Sequence, residues 1–242
     1  MTSQNPYAHL ATPVAILAAF LPEYREQSVA YIDLDQEARR AFSANEEPHT
    51  GPSRLAEATE CNDFVQTLHA QHGVNASFGG YLEDRAFLWH GTYLGGSEKT
   101  LHLGVDFNVP SGSVVSTPFA GRVIRVDNDH PEPWGWGPRV FLEITSQEAS
   151  TTVLIFAHLA QVSLHFGDNL SAGARIGTVG APPRNGDWFP HLHVQQVRRE
   201  VFDAYLHTDI WQLDGYGDRS AVARLRHDFP DPLVTLLGGH TR

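Results

Sequence analysis

The sequence predicts a mainly β protein with helical decorations at its N- and C-terminal ends. From Asn75 onward the texture turns to glycine, aromatic and β-branched residues, and short runs between turn signals read as strands at 101–109, 114–116, 121–127, 139–145, 152–158, 175–179 and 191–198. That many short strands in sequence point to a sandwich or barrel. Before about residue 75 the apolar residues fall at helical spacing, and beyond Val201 the strand pattern stops. The chain therefore divides into an N-terminal helical region at 1–75, a β core at 76–200 and a C-terminal extension with short helices at 201–242. No internal repeat or flexible linker separates them, so one compact unit is the simplest organisation.

Each element has a local reason. The apolar run from Val14 to Leu21, fenced by Pro13 and Pro22, reads as the first turns of a packed helix. Tyr24, Val29, Ile32, Leu34, Ala38 and Phe42 continue at helical spacing until the polar stretch from Ser43 to Pro52 breaks it. Ser53 caps the next helix, Leu55, Ala58, Cys61, Val65, Leu68 and Ala70 form its stripe, and Gly73 stops it. His69 and His72 have no third ligand nearby in sequence and read as part of a solvated face. Near the end, Asp218 or Ser220 starts a short helix to Asp228. Asp231-Pro232 then reads as an N-cap with proline at the first helical position, and Gly238 closes that last helix.

Composition excludes several classes. The 242 residues carry a formal net charge of −11, with Lys99 the only lysine, which argues against nucleic-acid and anionic-membrane partners. A single cysteine, Cys61, rules out an internal disulfide and a cysteine-based zinc site, and reads as a small core residue. No Lys or Arg precedes Arg25, so a secretory n-region is lacking, and no stretch nears the roughly 20 apolar residues of a membrane span. As written, the chain is expected to stay in the cytoplasm, with no membrane span. Its composition says nothing about oligomeric state.

Two motifs carry chemistry. In His191-Leu192-His193 an extended backbone points both imidazoles to one face, roughly 7 Å apart at their roots. In His102-Leu103-Gly104-Val105-Asp106 a straight strand would hold histidine and carboxylate about 13 Å apart, so they share an ion only if the backbone bends, which Gly104 permits. Catalytic zinc commonly takes three protein ligands and leaves a fourth position for water. His102, Asp106 and one histidine of the later pair make that count.

Order and company extend the reading. After His102-x-x-x-Asp106 come Val114 to Val123, then Phe156-Ala157-His158-Leu159, then Gly173 to Gly180, then His191-Leu192-His193. From about His102 to Val197 this resembles the lysostaphin/LytM-type zinc metallopeptidases, metallopeptidase family 23. The resemblance implies a barrel-sandwich hybrid core, also called the duplicated hybrid motif, with a metal cleft on one open face. It implies Zn2+ held by His102, Asp106 and His193, with His158 and His191 as the catalytic histidines. One local departure is Asp127 to Pro138, rich in Pro, Trp and Gly where the family has a short turn. The lead-in Gly80-Tyr81-x-Glu83-x-Arg85 and the tail Phe229-Pro230-Asp231-Pro232 look similar to a subgroup in which the module is fused to phosphotransferase-like and aminotransferase domains.

The resemblance thus implies a zinc metalloendopeptidase acting on a peptide or small amide, with glycine-containing or peptidoglycan-like peptides the family default. The alternative is a non-hydrolytic or regulatory binding module on the same scaffold. A lipoyl- or biotin-type carrier needs a lysine at an exposed hairpin tip, which Lys99 fits poorly. Glu83 and Arg85 are expected to be structural, pairing with the metal-bearing layer. His90, His130, His165, His207, His227 and His240 have no ligand spacing. Trp134, Trp136 and Trp188 either wall a substrate groove or plug their loops onto the core, and Arg184-Asn185-Gly186-Asp187 reads as a substrate-facing loop.

Overall fold

Continuous apolar runs at Val140–Leu142 and Val153–Ala157, which suit strands buried on both faces, lie near the centre of the sheet. A computed structural model describes residues 4–42, 52–92, 98–128, 135–145, 151–208, 210, 213 and 215–238. Trp134, His130, His240 and most of the break at 43–52 lie outside them. The strands are β1 (Val29–Tyr31), β2 (Ala76–Gly79), β3 (Lys99–His102), β4 (Gly104–Asn108), β5 (Val114–Ser116), β6 (Gly121–Asp127), β7 (Arg139–Thr145), β8 (Thr151–Ala157), β9 (Asn169–Leu170), β10 (Arg175–Thr178), β11 (Leu192–Arg198) and β12 (Tyr216–Asp218). Eight form one sheet in the order β1-β2-β4-β11-β8-β7-β6-β9, antiparallel except for the β1–β2 edge, while β5–β10 and β3–β12 are separate pairs.

This corrects the expected barrel-sandwich hybrid. Among the described residues the large sheet is open, ending at β1 and β9, and no strand closes it into a barrel. The physical reason lies in what covers its two faces. Val105, Phe107, Leu142, Leu154, Phe156 and Val194 alternate onto one face, where they meet the β5–β10 pair and helix α1 (Pro13–Phe20), whose Phe20 ring lies 5.0 Å from that of Phe107. Phe141, Val153, Ile155 and Val197 alternate onto the other face, against α4 (Arg199–His207) and α5 (Val222–Asp228), reached through Phe202 and Leu225. Helices thus supply much of the cover that a curled sheet would otherwise provide.

Two further expectations change. The helix expected over 21–42 is interrupted. Pro22–Tyr24 is a single 3₁₀ turn, Val29–Tyr31 joins the sheet beside β2, and only Leu34–Phe42 (α2) is helical. The β-branched and aromatic residues there satisfy their backbone groups on an available sheet edge, which local periodicity does not reveal. Second, His69 on α3 (Ala58–His72) is buried, with Nε2 2.9 Å from Ser77 Oγ on β2, because that face of the helix packs on the sheet. Gly73 ends α3 in the left-handed conformation, φ 64°, a position that glycine takes without strain.

The C-terminal segment folds back on the lead-in. Asp231 caps α6 (Pro232–Leu236) through Leu233 N–H and accepts from Tyr7 Oη at 2.7 Å, while Tyr81 Oη donates to the Phe229 carbonyl at 2.8 Å. No helix among the described residues is long and apolar enough to cross a membrane.

Candidate metal centre

Neighbouring strands β4 and β11 place Asp106 directly opposite His193. Their alternate residues Val105, Phe107, Leu192 and Val194 point into the core beneath α1, which sends Asp106 and His193 to the other face. His102 arrives differently. The expected strand over 101–109 is two strands, and the chain leaves the β3–β12 pair at Leu103 to enter the large sheet at Gly104. That change of sheet, not a bend within one strand, brings His102 onto Asp106. Gly104 is needed for clearance: a Cβ there would lie 2.5 Å from His193 Cε1 and 2.8 Å from the Val194 carbonyl oxygen.

His102 Nε2 is 3.0 Å from His193 Nδ1, which is 3.0 Å from Asp106 Oδ1, and His102 Nε2 lies 3.5 Å from the same oxygen. The outer nitrogens settle the tautomers. A backbone carbonyl only accepts, so the Gly80 carbonyl 3.0 Å from His102 Nδ1 takes its proton and leaves Nε2 bare. Gln195 Oε1 at 3.2 Å does the same for His193 Nε2 and leaves Nδ1 bare. Two lone pairs and a carboxylate oxygen therefore converge, an arrangement that calls for a cation. Donor atoms around tetrahedral zinc, with bonds of about 2.0–2.1 Å, sit roughly 3.3–3.4 Å apart, so the cluster fits zinc in both chemistry and spacing. The three residues form a group able to hold a metal ion, all buried.

Burial holds the His102 imidazole well below its usual range, aided by the Arg85 charge. For Asp106 burial acts upward, but the Arg85 guanidinium holds the carboxyl well below its usual range and keeps it ionised.

His158 and His191 flank the triad. His191 Nε2 is 3.8 Å from Asp106 Oδ1, and the His158 ring centroid lies 4.3 Å from that of His191 and 5.9 Å from that of His193. Each donates its Nδ1 proton to a backbone carbonyl at 2.7 Å, His158 to Asn185 and His191 to Phe189, so each has a bare Nε2. Burial lowers His191 to about 4, and burial together with the neighbouring His191 and His193 holds His158 well below its usual range. His158 follows β8 with φ 59°, an uncommon conformation for a non-glycine residue. It is fixed there by its N–H donating to the Trp136 carbonyl and its carbonyl accepting from Gly180 N–H.

The surroundings are closed where the sequence reading expected an open face. His102, Asp106, His191 and His193 are each at most 3% exposed, and of the five residues His158 alone is partly exposed. Trp188 plugs its loop onto the core: its Nε1 donates to the Leu55 carbonyl and its ring lies 4.6 Å from Trp89 and 5.3 Å from His191. Trp136 meets His193 edge-on at 5.1 Å. Asn185 is buried as the support of His158, so this part of the expected substrate-facing loop serves the histidine.

Glu83 and Arg85 both lie beside the triad and Glu83 is outside it. Glu83 Oε1 accepts from Asp35 N–H at the start of α2, and Oε2 is 3.3 Å from Arg85 Nη2. Two supporting residues were not foreseen. Gln195 was readable, because it shares a strand face with His193 two residues away. Tyr216, whose ring lies 5.3 Å from that of His102 and whose Oη is 3.3 Å from Arg85 Nη1, carried no signal, since its place depends on β12 pairing with β3.

A buried His-Asp-His cluster able to hold a metal ion thus lies beside two imidazoles with bare Nε2 atoms. Residues 100–203 match the sequence model of peptidase family M23, and the His102, Asp106 and His193 cluster lies within that segment. Among solved structures, the catalytic domain of the prophage-encoded M23 protein EnpA from Enterococcus faecalis is 21% identical, over 41% of this chain and 69% of that one, at a TM-score of 0.35. A putative M23 peptidase from Pseudomonas aeruginosa is 28% identical over 39% of this chain and 37% of that one, at 0.33. A zinc-containing peptidase from Vibrio cholerae is 27% identical over 41% of this chain and 28% of that one, also at 0.33. The alignments thus span little more than a third, or less, of the Pseudomonas and Vibrio chains. No curated protein matches the chain.

Proposed function

We propose that this chain is a zinc-dependent metallopeptidase that hydrolyses a peptide or related amide bond, with His102, Asp106 and His193 as the metal ligands and His158 and His191 as the catalytic histidines. The observation that carries the reading is the convergence of three unprotonated donor atoms next to two imidazoles whose Nε2 atoms are also bare. When bound, zinc supplies the Lewis acidity that makes water nucleophilic near neutral pH and polarises a carbonyl.

The chain's own residues manage the protons. With Nδ1–H tied to a backbone carbonyl, His158 and His191 each begin as a proton acceptor at Nε2. A proton taken up there is carried on the same atom that can hand it to a leaving amine or donate to an oxyanion. With rings 4.3 Å apart, the pair carries one such proton at a time, because two adjacent imidazolium charges repel. His158 is the partly exposed member of the pair.

A glycine-containing peptide is the substrate class we favour, since a small residue next to the scissile bond suits so enclosed a cluster. The subgroup likeness belongs to the same proposal. Its support is the Tyr81–Phe229 hydrogen bond, which joins the two motifs that carry it.

The test is metal analysis of the purified chain together with a cleavage screen of glycine-rich peptides and of amino-acid and amino-alcohol amides. One zinc per chain and amine release abolished by a chelator are expected. Zinc without any cleavage would favour the non-hydrolytic binding module, and a chain that takes no zinc would overturn the reading.

A further inference from the structure

We infer that Arg85 is a positioning residue that confines Asp106 to one-oxygen metal ligation and thereby sets which divalent ion the centre accepts; this rests on the metal-site reading above. The two oxygens of Asp106 have separate tasks. Oδ1 faces His102 and His193, whereas Oδ2 lies 2.7 Å from Arg85 Nη1 in an ion pair whose geometry is off-line for a hydrogen bond. Arg85 lies outside the 100–203 segment that matches the peptidase family, so its place is a property of the lead-in.

The guanidinium cannot easily move. It is 2% exposed, Glu83 Oε2 lies 3.3 Å from Nη2, Tyr216 Oη accepts from Nη1 at 3.3 Å, and the Arg85 backbone N–H donates to the Thr100 carbonyl at 3.0 Å. The packing around it leaves no room for a side chain at Gly80, φ 109°: a Cβ there would lie 2.6 Å from Arg85 Nη2 and 2.7 Å from His102 Nδ1. One short stretch, Gly80 to Arg85, therefore orients two ligands at once, His102 through the Gly80 carbonyl and Asp106 through the guanidinium.

A carboxylate whose second oxygen is held by a buried cation cannot turn to offer both oxygens to a metal. Zinc and other small ions that accept four ligands lose nothing by this. Ions that seek six or more oxygen ligands and draw on bidentate carboxylates, such as manganese, are disfavoured.

The experiment uses the full chain and Arg85→Gln, with folding checked by circular dichroism, and measures zinc and manganese affinity by chelator competition and the visible absorption of the cobalt(II) form. Wild type should bind zinc and give the intense spectrum of four-coordinate cobalt. In Arg85→Gln zinc affinity should fall roughly 10–100-fold while manganese affinity holds or rises, and the cobalt absorption should weaken as the coordination number grows. Loss of both metals by the same factor, with an unchanged cobalt spectrum, would show that Arg85 serves folding alone. If Arg85→Gln does not fold, Arg85→Lys is the arm, since it keeps the charge and loses the planar fork; an unchanged zinc-to-manganese ratio there overturns the inference. A wild-type chain that binds neither metal overturns the site reading itself.

Discussion

Asp106 and His193 face each other across β4 and β11, with Oδ1 and Nδ1 3.0 Å apart and the second carboxylate oxygen on Arg85. The carboxylate therefore serves the metal site and a buried guanidinium together. Asp106→Ala should abolish zinc binding and also destabilise the metal-free fold by about 3 kcal/mol, because one partner of a buried ion pair is removed. His102→Ala should abolish zinc binding with a smaller loss of metal-free stability. Zinc stoichiometry and denaturant unfolding of the chelator-treated variants decide this; equal stability losses would show that the Asp106–Arg85 pair contributes little.

His158→Ala and His191→Ala separate catalysis from ligation. Each should lower turnover by roughly 10²-fold or more and leave zinc content near wild type. Zinc loss in either variant would move that histidine to the ligand set, and undiminished turnover would make it a bystander.

Gly104→Ala tests the clearance beneath His193. The added methyl meets the ring at 2.5 Å and the Val194 carbonyl oxygen at 2.8 Å, and the latter is backbone that cannot turn aside. Zinc affinity should drop by roughly 10-fold or more as the ring is displaced, with the fold retained. Wild-type affinity in a calorimetric titration would refute it.

His69 predicts an acid-sensitive joint between α3 and the sheet. Burial lowers its imidazole to about 4, against about 6.5 in the unfolded chain. The unfolded chain takes the proton first, so the contribution is complete above pH about 6.5 and is lost as the pH falls toward 4. The loss should be on the order of 3 kcal/mol. The difference in unfolding free energy between wild type and His69→Gln should shrink over that window. Taking this difference sets aside Asp231, whose buried carboxyl is pushed up to about 6 and acts in the opposite sense. A difference independent of pH would count against the assignment.

By itself the sequence determined the residue types of the centre, the shared face of His191 and His193, most strand positions beyond residue 100, and the caps at Gly73 and Asp231, whereas Ser53 caps a 3₁₀ turn at Arg54–Ala56 and the helix after it starts at Ala58. These are local properties: side-chain alternation, turn residues and helix-end hydrogen bonds are written within a few neighbouring positions. Tertiary structure alone decided that the large sheet stays open, that Val29–Tyr31 extends it, that His69 is buried, and that Arg85 and Tyr216 stand behind Asp106 and His102. Each of those depends on partners far apart in the chain. A strand edge, a helix face or a guanidinium takes whatever partner the packed fold brings to it, and nothing within a short window of sequence states which that will be.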